Sequence, residues 1–167
     1  MKKTIKRMAY ILLTLAIATT TVMAAGSSSI TPAVSKDIKM YNKGVELLLE
    51  KKFAKAENQF RKALDRNERF AEAHNNLAYA LRKQGADHFD EALNHYNRAI
   101  ELNPALSEPY MYRGVLYVQM GNRESALMDH EKLEAMGSPL AAELEYVVTT
   151  GGEKEPEQFF GVSRKLN

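Results

Sequence analysis

The sequence predicts an all-α protein built as a repeat array. Residues 71–104 read AEAHNNLAYALRKQGADHFDEALNHYNRAIELNP, in which two amphipathic segments are joined by a turn after Gly85 and closed by Asn103-Pro104. Apolar residues recur there at the spacing of one helix face, and the same spacing recurs before and after this stretch. Apolar residues make up 45% of the chain and charged residues 26%, which is ordinary for a folded soluble domain.

The beginning of the chain predicts a secretory signal peptide over residues 1–24. The basic segment KKTIKR precedes an apolar run at residues 9–22, and Val22-Met23-Ala24 offers the small residues that a signal peptidase reads. We expect cleavage after Ala24. An uncleaved membrane anchor is the alternative, but the apolar run is shorter than the roughly 20 residues of a spanning helix. No Cys follows the run, which excludes an acylated lipoprotein.

Removal of the signal peptide changes the charge of the chain. It leaves 19 basic against 21 acidic residues, a net charge of −2 instead of the +2 of the whole sequence. The basic isoelectric point therefore gives no reason to expect nucleic-acid binding. The chain contains no Cys, so its stability must come from packing without disulfides. These features predict a bacterial protein that is periplasmic or secreted.

After a linker at residues 25–36, the periodicity predicts three helix pairs and a seventh helix. The pairs are expected at 37–49 with 53–66, 69–84 with 89–102, and 107–120 with 123–136, and the seventh helix at 139–148. The expected N-caps are Ser35, Asp87 or His88, Ser107, Asn122 and Ser138, the last followed by Pro139 at the first helical position. Glycine at 85, 121, 137 and 151 is expected to end helices in the left-handed conformation. Residues 151–167 form a predicted flexible tail.

Small residues recur along the helix pairs at a fixed interval. Gly44, Ala78 and Gly114 are 34 and 36 residues apart, and the corresponding second-helix positions Ala56, Ala92 and Ala126 are 36 and 34 apart. The two intervals agree if two extra residues lie in the second turn, around Ala86-Asp87. Small residues allow neighbouring helix axes to approach to about 8–10 Å, so substitution of Ala92 by Leu would overpack that contact by about 1–3 kcal/mol.

This pattern resembles the tetratricopeptide repeat family, whose period is about 34 residues. Ala56-x3-Phe60 and Ala92-x3-Tyr96 match its second-helix motif. The resemblance implies a right-handed α-solenoid of three repeats, at about 37–70, 71–106 and 107–140, with a capping helix, all within residues 37–150. The sequence departs from the family at several positions: Met40 and His74 replace a large aromatic residue, Lys43 and Arg113 replace Leu, Glu68 replaces a closing Pro, and His130 and Leu133 replace an aromatic and a small residue.

The resemblance also implies a concave groove lined by the first helix of each pair, which would bind a peptide or partner helix. The candidate groove residues are Tyr41, Val45, Asn75, Asn76, Tyr79, Arg82, Lys83, Met111, Tyr112, Val115 and Gln119, with Glu108 beside them. In the alternative reading, Val45, Tyr79 and Val115 are core residues between helices. One subclass of the family clamps a C-terminal carboxylate, but only Asn76 matches its residues and Glu108 would repel the ligand.

The residues give no support for an enzyme, a cofactor or a metal site. There is no nucleophile elbow, phosphate loop or dinucleotide loop in the sequence. His88 and His95 are seven residues apart, and His74 and His130 lie in other predicted helices, so the spacing of a helical metal-ligand pair is missing.

The sequence therefore predicts a non-enzymatic interaction scaffold of the bacterial cell envelope. Its partner would be a protein or peptide rather than nucleic acid, its membrane contact would be limited to the transient signal peptide, and a homo-oligomer is possible. The alternative is a non-catalytic accessory subunit of an envelope enzyme complex. In that case Phe159 and Phe160 of the tail would dock onto the enzyme, although they could equally fold back onto the chain's own groove.

Overall fold

The computed structural model describes residues 34–152 and 165–166, and this part of the chain contains helices and no strand. The seven α-helices are α1 (Lys36–Leu49), α2 (Phe53–Leu64), α3 (Ala71–Arg82), α4 (Phe89–Leu102), α5 (Glu108–Gln119), α6 (Arg123–Ala135) and α7 (Leu140–Thr150). Each begins and ends within two residues of its predicted bounds. The predicted signal peptide, most of the linker, and Phe159 and Phe160 lie outside the described residues.

The helices pack as successive pairs. α1 packs on α2, α3 on α4, and α5 on α6, while α2 contacts α3 and α4 contacts α5. α7 packs against both helices of the third pair. This is the predicted arrangement, in which the next element along the chain covers the apolar face of each pair. No helix in the described part is both long and apolar enough to cross a membrane.

The recurring small residues lie where helices touch closely, against the paired helix for Gly44 and against α7 for Gly114. Ala56, Ala92 and Ala126 are completely buried. A Cβ atom on Gly44 would lie 2.5 Å from Cε1 of Phe60, and a Cβ atom on Gly114 would overlap the side chain of Leu144. The prediction that these positions must be small is confirmed, because a larger residue would have to displace a buried side chain of the facing helix.

Only part of the predicted capping is present. The side chain of Asn122 accepts a hydrogen bond from the backbone N–H of Ser125 at 3.1 Å, as expected for an N-cap. Ser138 accepts one from the N–H of Leu140 at 3.3 Å, but α7 begins at Leu140, so Pro139 takes the N-cap position. The other three expected caps, Ser35, His88 and Ser107, occupy N-cap positions without a side-chain capping hydrogen bond.

Gly85 does not adopt the predicted left-handed conformation. Its φ of 123° and ψ of 179° belong to an extended region that is accessible almost only to glycine. The physical reason is the longer second turn: the chain continues through Gly85 into a short 3₁₀ turn, Ala86–His88, before α4 begins. Gly151, with φ 71° and ψ 1°, does end α7 in the left-handed conformation, as predicted.

Candidate functional site

The first helices of the three pairs bring predicted groove residues into contact. Between α1 and α3, Asn76 Nδ2 donates a hydrogen bond to the Tyr41 hydroxyl at 3.2 Å. The neighbouring Asn75 Nδ2 donates to Asn76 Oδ1 at 3.0 Å. Tyr41 also packs against the ring of Phe70, with 4.8 Å between ring centroids. This end of the row is a buried polar group fixed by aromatic packing.

The contact continues from α3 to α5 through two tyrosines. The rings of Tyr79 and Tyr112 meet edge to face, with centroids 5.1 Å apart. Phe53, at the start of α2, lies edge-on to Tyr79 with a centroid distance of 6.3 Å. Such aromatic pairs contribute about 0.5–1.5 kcal/mol beyond their burial. They hold α3 and α5 at a fixed spacing even though the two helices belong to different repeats.

The row ends in a cationic region on the last turn of α3. Arg82 Nη1 donates a hydrogen bond to Gln119 Oε1 of α5 at 3.3 Å. The Arg82 guanidinium carbon lies 5.3 Å from the centroid of the Tyr79 ring, and Lys83 Nζ lies 6.0 Å from it. The two cations lie near the same ring, but Arg82 is only 3% exposed, so Lys83 is the charge that a negative group of a ligand would approach first at this end of the row.

The structure corrects the exposure expected of most groove residues. Nine of the eleven are buried: Tyr41, Val45, Asn75, Asn76, Tyr79, Arg82, Met111, Tyr112 and Val115. Lys83 is half-buried and Gln119 is exposed. Val45, Tyr79 and Val115 are part of the continuous hydrophobic core, which is the alternative interpretation of these residues. A ligand can reach the buried members only if neighbouring groups move aside.

Sequence reasoning missed a contact between α1 and the end of the chain. Asn42 Nδ2 donates to the carbonyl oxygen of Leu166 at 2.6 Å, and the N–H of Leu166 donates back to Asn42 Oδ1 at 2.8 Å. Lys165 Nζ lies 2.7 Å from Glu46 Oε1. At these two residues the predicted flexible tail is docked on α1. The repeat period could have identified Asn42, because it precedes Asn76 by 34 residues.

A pair of histidines forms a second polar group between α3 and α4. The Nδ1 atoms of His74 and His95 are 2.9 Å apart, and the rings stack with centroids separated by 5.1 Å. His74 Nε2 lies 3.0 Å from the carbonyl oxygen of Glu68, which can only accept, so this nitrogen carries the proton. His74 Nδ1 is then an acceptor, and His95 Nδ1 donates to it.

Both histidines are held neutral by their surroundings. Burial lowers the pKa of His74. Burial, followed by the neighbouring His74, lowers the pKa of His95 to about 4. The pair lines a cleft of about 610 Å³ together with residues of α2 and the turn after it. In residues 34–152 and 165–166, no three His, Asp or Glu side chains converge as metal ligands would. The histidine pair by itself offers only two such side chains.

Arg113 explains one departure from the family pattern. Its Nε and Nη2 atoms lie 3.0 and 2.6 Å from the two carboxylate oxygens of Asp129 on α6, a bidentate ion pair. Its Nη1 donates to Asn97 Oδ1 of α4 at 2.7 Å. Asp129 is only 3% exposed. The charge that replaces a leucine in the family is thus paired within its own repeat.

Comparisons with known proteins agree with the fold. Residues 88–121, which span α4 and α5, match a family model described as a TPR repeat. The chain is 36% identical over 74 residues to human "Tetratricopeptide repeat protein 6", covering 44% of this chain and 14% of that protein. It is 48% identical over 42 residues to a UDP-N-acetylglucosamine--peptide N-acetylglucosaminyltransferase of Giardia intestinalis, covering 25% and 3%. The chain thus spans a small fraction of these curated relatives.

Solved structures match a larger part of the chain. The first TPR domain of Spaghetti (RPAP3), bound to the HSP90 peptide SRMEEVD, superposes with a TM-score of 0.62 at 20% identity, over 70% of this chain and 92% of that one. The TPR2B domain of yeast Sti1, in a complex titled with pHsp70, gives a TM-score of 0.62 at 21% identity, over 71% and 100%. At these identities the matches establish the helical-repeat fold alone.

Proposed function

We propose that this tetratricopeptide repeat protein is a non-enzymatic scaffold that binds a peptide or helix of a protein partner along the first helices of its repeats. The observation that carries the proposal is the row of contacts from α1 through α3 to α5, which ends at Arg82, Lys83 and Gln119. Most of this row is buried, so the preformed helices present its accessible end, Lys83 and Gln119, and need no cofactor to do so. Aromatic and Arg side chains supply much of the binding energy in protein interfaces.

The structural neighbours support the peptide-binding part of the proposal. One of them was solved with an HSP90 peptide and another in a complex titled with pHsp70, and both superpose on the same helical array. In this chain the cations at the end of α3 favour a partner segment that carries an acidic residue. Glu108 at the start of α5 still argues against the carboxylate clamp of the family's chaperone-docking subclass.

The test is crosslinking capture of partners from a bacterial envelope fraction, with the chain from residue 25 onward as bait. We compare the unmodified bait with Lys83→Glu, which reverses a charge at the cationic end of the row. Lys55→Glu is the matched control, because Lys55 is exposed on α2 and the substitution changes the net charge equally. The proposal expects capture to fall at least about tenfold with Lys83→Glu only, the scale of a 1.4 kcal/mol loss. Equal capture by both variants contradicts it.

The cellular setting is the cell envelope in this proposal, and it rests on the basic and apolar segments that precede residue 25. N-terminal sequencing of protein recovered from a periplasmic fraction tests it. A mature chain that begins at Ala25 agrees with the proposal, whereas an intact N-terminus in the cytoplasmic fraction contradicts it. The alternative of an accessory subunit that docks through Phe159 and Phe160 stays a prediction, because both residues lie outside the described part of the chain.

A further inference from the structure

The contact between α1 and the chain end has the chemistry of peptide recognition. The amide side chain of Asn42 satisfies both backbone groups of Leu166, donating at 2.6 Å and accepting at 2.8 Å. An asparagine that makes both hydrogen bonds of one backbone residue holds a peptide segment without reading its side chain. Asn42 is half-buried, so this reciprocal pair is partly shielded from competing water.

Two neighbouring contacts add side-chain selectivity. Glu46 lies one helical turn after Asn42, on the same face of α1, and its carboxylate contacts Lys165 Nζ at 2.7 Å. Its other oxygen contacts Lys43 at 2.9 Å. The hydrogen bond from Lys165, then that from Lys43, lowers the pKa of Glu46 to about 2, so the carboxylate is charged at neutral pH. The side chain of Leu166 packs, partly buried, against the hydrophobic core.

We propose that Asn42 and Glu46 form a recognition site for a segment in which a lysine is directly followed by a large aliphatic residue, and that Lys165-Leu166 occupies this site as an internal competitor of such a partner. The inference rests on the proposed peptide-binding function and names one sequence feature of the ligand. The lysine is selected by Glu46, the aliphatic residue by the core, and the backbone by Asn42.

The tethering of Lys165-Leu166 to the same chain determines how strongly this internal competitor weakens the binding of an external segment. Residues 153–164 join Lys165 to the end of the helical array, and a short tether of this kind gives an effective concentration on the order of 1 mM. If the free segment binds with a Kd of about 100 µM, the tethered copy weakens an external ligand about tenfold. The contact between Lys165 and Glu46 lies at the surface, since the Lys165 side chain is 50% exposed and the Glu46 side chain is 38% exposed. Added salt should therefore weaken it.

The experiment measures the fluorescence anisotropy of a labelled peptide GVSRKLN, the sequence of residues 161–167, titrated with the chain from residue 25 onward. The variant Leu166→Asp removes the apolar contact of the internal ligand and so vacates the site. We expect it to bind the peptide about tenfold more tightly than the unmodified chain. Adding Asn42→Ala should remove that binding, while adding Asn94→Ala, at an exposed asparagine of α4, should leave it unchanged.

A second peptide, GVSRELN, tests the role of the charge, and we expect it to bind at least about tenfold more weakly because its glutamate faces Glu46. Helix content by circular dichroism and the melting temperature of each variant check that it is folded. Equal affinity of the unmodified chain and Leu166→Asp, or affinity that survives Asn42→Ala, overturns the inference. Partner capture that responds to Lys83→Glu but not to Asn42→Ala also overturns it while leaving the proposed function intact.

Discussion

Replacement of Gly44 by Ala tests the reason for the small-residue pattern most directly. The added Cβ would lie 2.5, 2.7 and 2.8 Å from three ring atoms of Phe60, about 1 Å closer than carbon atoms normally approach. The ring cannot move easily, because Phe60 is completely buried and packs against Tyr41 with centroids 5.8 Å apart. The strain must therefore be relieved by separation of α1 from α2.

The magnitude follows from two opposing effects. Overpacking of this kind costs about 1–3 kcal/mol, whereas Ala is favoured over Gly in a helix by about 1 kcal/mol. Because the added Cβ would overlap three atoms of a buried ring, we take the upper part of the overpacking range, about 2–3 kcal/mol, which leaves a net loss of about 1–2 kcal/mol in the free energy of unfolding. For a domain of this size that is a fall in melting temperature of about 4–10 °C. Thermal and urea unfolding followed by circular dichroism measure both quantities.

A double-mutant cycle separates the steric effect from helix propensity. Phe60→Leu shortens the ring side chain, so Gly44→Ala made in that background should stabilise the chain by up to about 1 kcal/mol through helix propensity, and the coupling energy should equal the steric cost of about 2–3 kcal/mol. Gly114→Ala provides a comparison, because its neighbour is the end of the flexible Leu144 side chain and the cost should be smaller. An equal or greater stability of Gly44→Ala relative to the unmodified chain would refute the steric argument.

Three further predictions concern the polar pairs and one cap. Asp129→Asn leaves the Arg113 guanidinium largely buried without its anion and should cost about 3 kcal/mol in urea unfolding, whereas Arg113→Leu combined with Asp129→Ala should recover most of the loss. The pKa of His95 is lowered to about 4, so the unfolded chain binds more protons below its ordinary value of 6.5. The contribution of His95 to stability should therefore be constant above that pH and decline between about pH 6.5 and 4. The ring is 22% exposed, which limits the loss to about 2 kcal/mol, and a His95→Gln variant with the same decline would contradict this. Asn122→Ala removes the N-cap of α6 and should lower the free energy of unfolding by about 1 kcal/mol. An unchanged urea unfolding curve would show that this cap contributes no stability.

The sequence was sufficient for the helices and their pairing because both depend on local spacing. Apolar periodicity located every helix of the described part, and Gly44 and Gly114 identified contacts between helices. The sequence did not predict that most residues of the candidate site are buried. Tyr79 has the composition of a groove residue, but its ring is enclosed by Tyr112 and Phe53 from other helices. Such enclosure depends on side-chain directions across repeats, which the interval between positions does not specify.

Two polar residues that depart from the family pattern each contact a polar partner within the same repeat. His74 replaces a large aromatic residue and contacts His95, 21 residues later in the same repeat. Arg113 replaces a leucine and is paired with Asp129, 16 residues later in the third repeat. His74 and Arg113 are thus each matched by a polar residue of the second helix that packs on their own helix, whereas Lys43 pairs with Glu46 within α1.

This matching has a consequence for the array as a whole. Stability in a repeat protein is approximately a sum of repeat and nearest-neighbour contributions, so a pair inside one repeat acts mainly on that repeat, although Arg113 also donates to Asn97 of the preceding repeat. Here those interfaces keep aromatic and amide contacts, Tyr41 with Asn76 and Tyr79 with Tyr112. Loss of the Arg113–Asp129 pair should therefore destabilise α5 and α6 in hydrogen exchange before α1 and α2. Uniform loss of protection over all helices would show that the repeats are coupled more tightly than their contacts indicate.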